Sequence, residues 1–119
     1  MPSDAAALIA QLREHPKVCA MFGIAIEPSI YGPPDEAVTV ERGKFAFGGK
    51  SFDEPIRTFR RWLTGACVEK CDELGIVLDQ EETEFRMWYW FNRNTLRSDQ
   101  HAYDTRLGAA LAALEAHDA

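Results

Sequence analysis

The sequence predicts an α+β fold: a single small domain, residues 1–119, in which an antiparallel sheet of about four to five strands packs against three helices. Three observations carry this. Apolar residues recur with helical spacing in three segments, they alternate in others, and no linker is long enough to separate two domains. The hydrophobic share of 46% is enough to bury a core, and no stretch approaches the roughly 20 apolar residues that span a bilayer.

The order of elements follows as α-β-β-β-α-(β)-β-α. Ser3 or Asp4 can cap a first helix whose Ala5, Leu8, Ile9 and Leu12 lie on one face, and Pro16 stops it. Residues Lys17 to Ile26 are apolar at both odd and even positions, the pattern of an interior strand. The Pro/Gly cluster Pro28 to Pro34 reads as a loop. Ala37 to Gly48 reads as a hairpin around Arg42-Gly43, in which a two-residue loop sets Glu41 opposite Lys44, Val40 opposite Phe45 and Val38 opposite Phe47. Arg-Gly is a weaker turn signal than Asn-Gly, so a longer loop is the alternative.

The central helix begins at Ser51-Phe-Asp-Glu54, which resembles a capping box, although Pro55 in the first turn makes Asp53 the rival cap. Ile56, Phe59, Leu63, Ala66, Cys67 and Leu74 then follow helical spacing to Gly75. A short strand at Ile76-Val77-Leu78 and the acidic turn Asp79 to Thr83 lead to a strong strand from Glu84 to Asn92. A last helix, capped by Ser98 or Asp99, buries Tyr103, Leu107, Ala110, Leu111 and Leu114.

Charge is divided unevenly. Residues 1–61 hold eight basic and eight acidic side chains, whereas residues 62–119 hold five and eleven, so the net charge of -6 sits in the second half. Six acids and no Lys or Arg lie between Cys71 and Phe85. The plainer reading is a solvated loop; the sharper one is a negative patch that steers a basic partner. In the strand Glu84 to Asn92, alternation places Arg86, Trp88 and Trp90 on one face and Phe85, Met87, Tyr89 and Phe91 on the other. Covered on both sides, this is a core strand. With the Trp face open, Arg86, Trp88 and Trp90 are the residue types of a binding anchor.

Other constellations are weaker. Arg57, Arg60 and Arg61 form one basic stripe on the central helix, suited to pairing with acids or to gripping an anionic ligand. Asp79 to Glu84 lacks the glycine and register of a calcium loop, and the Cys67–Cys71 pair lacks the second ligand pair of a zinc site, so no metal and no cofactor are expected. Gly48-Gly49-Lys50-Ser51 misses the phosphate-loop spacing from Gly43 by one residue. Cys67 and Cys71 read as small core residues, and an odd cysteine count predicts reduced thiols. Cys19 or Cys67 pairs with His101 as a catalytic couple by residue type alone.

An acidic chain without clustered cations is a poor match for nucleic acid, and no membrane partner is expected. The N-terminus lacks the charged start of a secretory signal, and the expected location is cytoplasmic. The leading expectation is a non-catalytic protein-binding domain, an acidic inhibitor or immunity-like protein that neutralises a basic protein partner through Asp79, Glu81, Glu82, Glu84, Arg86, Trp88 and Trp90. The alternative is a small domain that binds an anionic ligand, or is an enzyme, using Arg57, Arg60 and Arg61. A third reading is a homodimer paired through the Trp88/Trp90 face.

Overall fold

The computed structural model describes residues 4–32, 34–41, 43–99 and 101–117. Its elements run α1 (Asp4–Arg13), α2 (Pro16–Phe22), β1 (Ile24–Pro28), β2 (Glu36–Val40), β3 (Lys44–Gly48), α3 (Asp53–Glu73), β4 (Ile76–Gln80), β5 (Trp88–Asn92) and α4 (Arg106–Ala116). The α+β class holds, with one more helix than the sequence implies and with two antiparallel sheets, β1-β2-β3 and β4-β5, instead of one. The chain divides into two compact units, residues 1–61 and 62–119. The charge division falls at the same point, so the neutral half and the acidic half are separate units.

In the first unit α1 buries Ala5, Leu8, Ile9 and Leu12, the predicted face. Ser3, one of its two expected caps, lies outside the described residues. The expected strand from Lys17 is a helix up to Phe22. Pro16 does not merely stop α1; it opens α2 at a position where its missing N–H is not needed. Gly23, in the left-handed conformation at φ 68°, ends α2 by donating its N–H to the Cys19 carbonyl. Only Val18 of this helix is fully buried, and β1 begins after the glycine.

The hairpin β2–β3 pairs Val38 with Phe47 as predicted. Its loop is longer than two residues, however, and an irregularity next to Val38 sets Thr39 opposite Phe45 and Val40 opposite Lys44, one place off the expected register. Glu41 turns with φ 47° and Gly43 with φ 100°; Arg42 lies outside the described residues. Lys44 still reaches Glu41, at 3.1 Å. Phe47 is fully buried and packs at a tilt against Phe59 of α3, with centroids 5.0 Å apart. Ser51 does not cap α3: its hydroxyl accepts from the Gly48 N–H at 2.8 Å. Lys50 of the Gly-Gly-Lys-Ser run is engaged locally, 3.3 Å from Asp35 and over the Tyr31 ring.

The second unit contains the remainder of α3, the β4–β5 pair and α4. Cys67 and Cys71 are buried free thiols, in line with their reading as core residues. Gly75, at φ 76°, turns the chain out of α3, and Asn94 Nδ2 donates to the Leu74 carbonyl at 3.2 Å. β5 starts at Trp88, not Glu84. Residues 84–87 are a turn because Arg86 adopts φ 47° and its N–H bonds the Thr83 carbonyl, which breaks the alternation. α4 starts six or seven residues later than expected, capped by Thr105, whose hydroxyl accepts from the Gly108 N–H at 3.0 Å. Asp99 instead holds the Tyr103 hydroxyl and the His101 N–H. Leu107, Ala110, Leu111 and Leu114 are buried as predicted, while Tyr103 precedes the helix, bridged to Trp88. Among the described residues no helix is long and apolar enough to cross a membrane.

Candidate functional site

The β4–β5 register decides which residues of the aromatic strand are available. Ile76 pairs with Asn92, Leu78 with Trp90 and Gln80 with Trp88 on one face; Val77 pairs with Phe91 and Asp79 with Tyr89 on the other. α4 packs against both strands. Trp90 is 5% exposed and Asn92 4%, and the Arg106 guanidinium lies 5.7 Å from the centre of the Trp88 ring. The anchoring face expected of Arg86, Trp88 and Trp90 is therefore not assembled: Trp90 is core, Trp88 is half-buried beneath a cation, and Arg86 belongs to the preceding turn. Tyr89, at 38% exposure, and Phe91, at 36%, form the open face instead.

The acidic residues do come together. Asp79, Glu81, Glu82 and Glu84 line an open concavity of about 660 Å³ with Gln80, Thr83 and a single cation, Arg86. The loop is held by its own bonds: Glu81 N–H to the Met87 carbonyl at 2.9 Å and Gln80 Nε2 to the Arg86 carbonyl at 2.8 Å. The acids divide by role. Both Asp79 oxygens are used, one by the Gln80 N–H and one by the Tyr89 hydroxyl, and Glu81 accepts from Thr83 at 3.0 Å. Glu82 and Glu84 are exposed, with no partner among the described residues. The hydrogen bond to Asp79 holds the Tyr89 phenol above its ordinary pKa, since ionising it would set two anions together.

A second concavity of about 380 Å³ shares Glu81 with the first and is walled by Tyr89, Phe91, Asp99 and His101. The segment that completes it is tied to β5 by bridges from Ser98 to Phe91 and from Tyr103 to Trp88. The Tyr103 pKa is pushed up to about 12, first by burial and then by its bond to the Asp99 carboxylate. The Trp90 Nε1–H is buried and meets no acceptor in hydrogen-bond geometry, although it lies near enough to the Tyr103 hydroxyl to offset part of that rise. Sequence reasoning missed Phe91 and Asp99 as site residues and named His101 only as a partner for Cys19 or Cys67. No local pattern announces them, because the groove is formed where Ser98, Asp99, His101 and Ala102 lie beside β5.

Neither a family model, nor a curated protein, nor a solved structure matches the chain. The site is therefore read from its own chemistry.

Arg57, Arg60 and Arg61 are exposed on the part of α3 that belongs to the first unit. Of the couple matched by type, Cys19 or Cys67 with His101, Cys67 is fully buried whereas His101 is exposed. Burial pushes the Cys71 thiol up to about 12, which makes it a packing residue and a poor nucleophile. Among the described residues no group of three His, Cys, Asp or Glu side chains is placed to hold a metal ion.

Proposed function

We propose that the second unit is a protein-binding module that captures a basic partner, in the manner of an acidic inhibitor or immunity protein. One observation carries the reading: a concavity lined by four carboxylates and one cation adjoins an aromatic groove and shares Glu81 with it. Such a surface suits a partner that presents Lys or Arg side chains beside an apolar knob. Glu82 and Glu84, exposed and uncommitted, supply long-range attraction and raise the encounter rate. Tyr89 and Phe91 supply the apolar contact area that holds the complex once formed. Trp88 and Trp90 act indirectly, by fixing the strand that carries them.

The test is capture by the immobilised full chain from lysate, followed by binding kinetics with each captured protein after purification. The chain is compared with Glu82→Lys/Glu84→Lys and with Tyr89→Ala/Phe91→Ala. The expected result is a basic protein whose association rate falls about tenfold or more between roughly 20 and 200 mM salt. Charge reversal should slow association, and aromatic truncation should speed dissociation. Both variants should keep near-native stability, within about 0.5 kcal/mol for the surface charges. A partner bound equally well by both variants would remove this surface from the function.

A further inference from the structure

β5 has a second neighbour along its outer edge, and the pairing with it is interrupted at one residue. The Trp88 N–H donates to the Tyr103 carbonyl and the Tyr103 N–H to the Trp88 carbonyl, each at 2.7 Å, and the Asn92 N–H donates to the Arg97 carbonyl at 2.8 Å. Main-chain groups two residues apart on a strand point to the same edge, so the Trp90 N–H faces the segment between those anchors. Between the bridges Trp88–Tyr103 and Phe91–Ser98 lie two residues of β5, 89 and 90, against four of the returning segment, 99 to 102, so the ladder cannot stay in register at Trp90. Among the described residues the Trp90 main-chain N–H meets no acceptor, although the residue is 5% exposed. A buried N–H without a partner is rare. It lies at the aromatic concavity of about 380 Å³, whose walls are Tyr89, Trp90, Phe91 and Glu81, with Asp99 and His101 from the returning segment.

We propose that this groove receives an arginine residue of the basic partner, its main-chain carbonyl on the Trp90 N–H and its guanidinium among Tyr89, Phe91 and Glu81; this rests on the reading of the second unit as a binder of a basic protein and deepens it. Charge decides the sign of the occupant. The groove carries the carboxylates of Glu81 and Asp99, no Lys or Arg lines it among the described residues, and it adjoins the acidic concavity. Asp99 holds the Tyr103 hydroxyl and the His101 N–H, whereas Glu81 accepts from Thr83 on Oε2 and keeps Oε1 for a donor. Shape decides between the two long basic side chains. Rings two positions apart on one face of a strand stand about 7 Å from each other, twice the contact distance of about 3.5 Å between flat groups, so a planar guanidinium can enter between them. It stacks on a ring and still offers its edge N–H groups to a carboxylate, which an ammonium cannot do. Tyr89 and Phe91 are both exposed on that face, and the bond from the Tyr89 hydroxyl to Asp79 fixes the tyrosine ring. A volume of about 380 Å³ lies at the small end of ligand pockets, enough for one side chain and its flanking peptide groups.

The experiment titrates Nα-acetyl-argininamide, an arginine with a peptide group on each side, into the ¹⁵N-labelled full chain at fixed ionic strength and pH 8, where an ordinary imidazole is neutral. Nα-acetyl-lysinamide and Nα-acetyl-citrullinamide are the comparators, the second matching arginine in shape without its charge. The Trp90 main-chain amide signal should move downfield and saturate, half-way at about 1–10 mM. The lysine probe should need about threefold more or beyond, and the citrulline probe should give no saturable shift. Glu81→Gln, whose amide oxygen can still accept from Thr83, should raise the half-saturation point about tenfold, and Phe91→Leu about threefold. A Trp90 amide that does not saturate, or that responds alike to either comparator, overturns the proposal, as does unchanged affinity in either variant once folded. Shifts confined to the amides of residues 82–84 also overturn it: the acidic concavity then holds the cation, and capture of a basic protein stands without the groove. Saturation at Trp90 in a chain that captures no basic protein has the opposite meaning, removing the partner and keeping the arginine site.

Discussion

Two glycine-to-alanine changes in one chain should act with opposite sign. Gly75 ends α3 at φ 76°, and a Cβ there would meet Asn94 Nδ2 at 2.6 Å. Alanine in that conformation costs about 1–2 kcal/mol. The Asn94 side chain, which is exposed, must also swing away and surrender its bond to the Leu74 carbonyl, worth about 0.5–1.5 kcal/mol. Gly75→Ala should therefore lose about 2–3 kcal/mol. Gly65 lies inside α3, exposed, with nothing within 4 Å of its would-be Cβ. There alanine removes only backbone entropy from the unfolded chain and should gain about 0.5–1 kcal/mol.

Urea denaturation followed by far-UV circular dichroism reads both. With a slope of about 2 kcal/mol per molar, Gly75→Ala lowers the midpoint by about 1–1.5 M and Gly65→Ala raises it by about 0.3–0.5 M. A double-mutant cycle isolates the contact. Asn94→Ala alone loses the same hydrogen bond, so Gly75→Ala/Asn94→Ala should be less destabilised than the sum of its parts by about 1 kcal/mol. Additive behaviour, or a Gly75→Ala cost below about 0.5 kcal/mol, would refute both the clash and the left-handed turn.

Thr105→Ala should cost about 1 kcal/mol, read in the same assay, because it orphans the Gly108 N–H at the start of α4. Stability should also fall in alkali. Cys71 and Tyr103 are neutral when protonated, and both have pKa values of about 12 in the folded chain, against 9.0 and 10.0 as ordinary values. The folded state thus holds these protons more tightly. The stabilisation is complete below about pH 9 and is lost as pH rises from there towards 12. Cys71→Ala should flatten the first part of that decline in denaturation midpoints measured across the range.

How much was legible depends on whether a signal was local. The central helix could be read because fifteen or more residues share one period, and the acidic concavity because its carboxylates are consecutive neighbours in one loop. α2 could not be read from period: seven residues apolar on both sides fit a strand as well as a helix, and the decision lay with Pro16 and Gly23, whose capping roles override the alternation. The front half of the predicted strand at Glu84 failed for a related reason. Phe85 and Met87 alternate correctly, but Arg86 takes a left-handed backbone that no period reports. The late start of α4 has another origin, since Asp99, a good cap by residue type, is taken by the Tyr103 hydroxyl.

The orientation of the aromatic strand is decided by size, and that signal lies outside the strand. Trp90 is too large to sit beneath a helix face of leucines at ordinary spacing without pushing it away. α4 meets the strand with Ala109, Ala110 and Ala113 buried among Leu107, Leu111 and Leu114, so small side chains leave room for large ones. A strand with Trp at alternate positions and a helix with three buried alanines are therefore two halves of one packing solution. It turns the indoles inward and leaves Tyr89 and Phe91, paired across from Asp79 and Val77, to face outward beside the acids. The open face thus carries the smaller aromatics, because the larger ones are consumed in holding the strand to its helix.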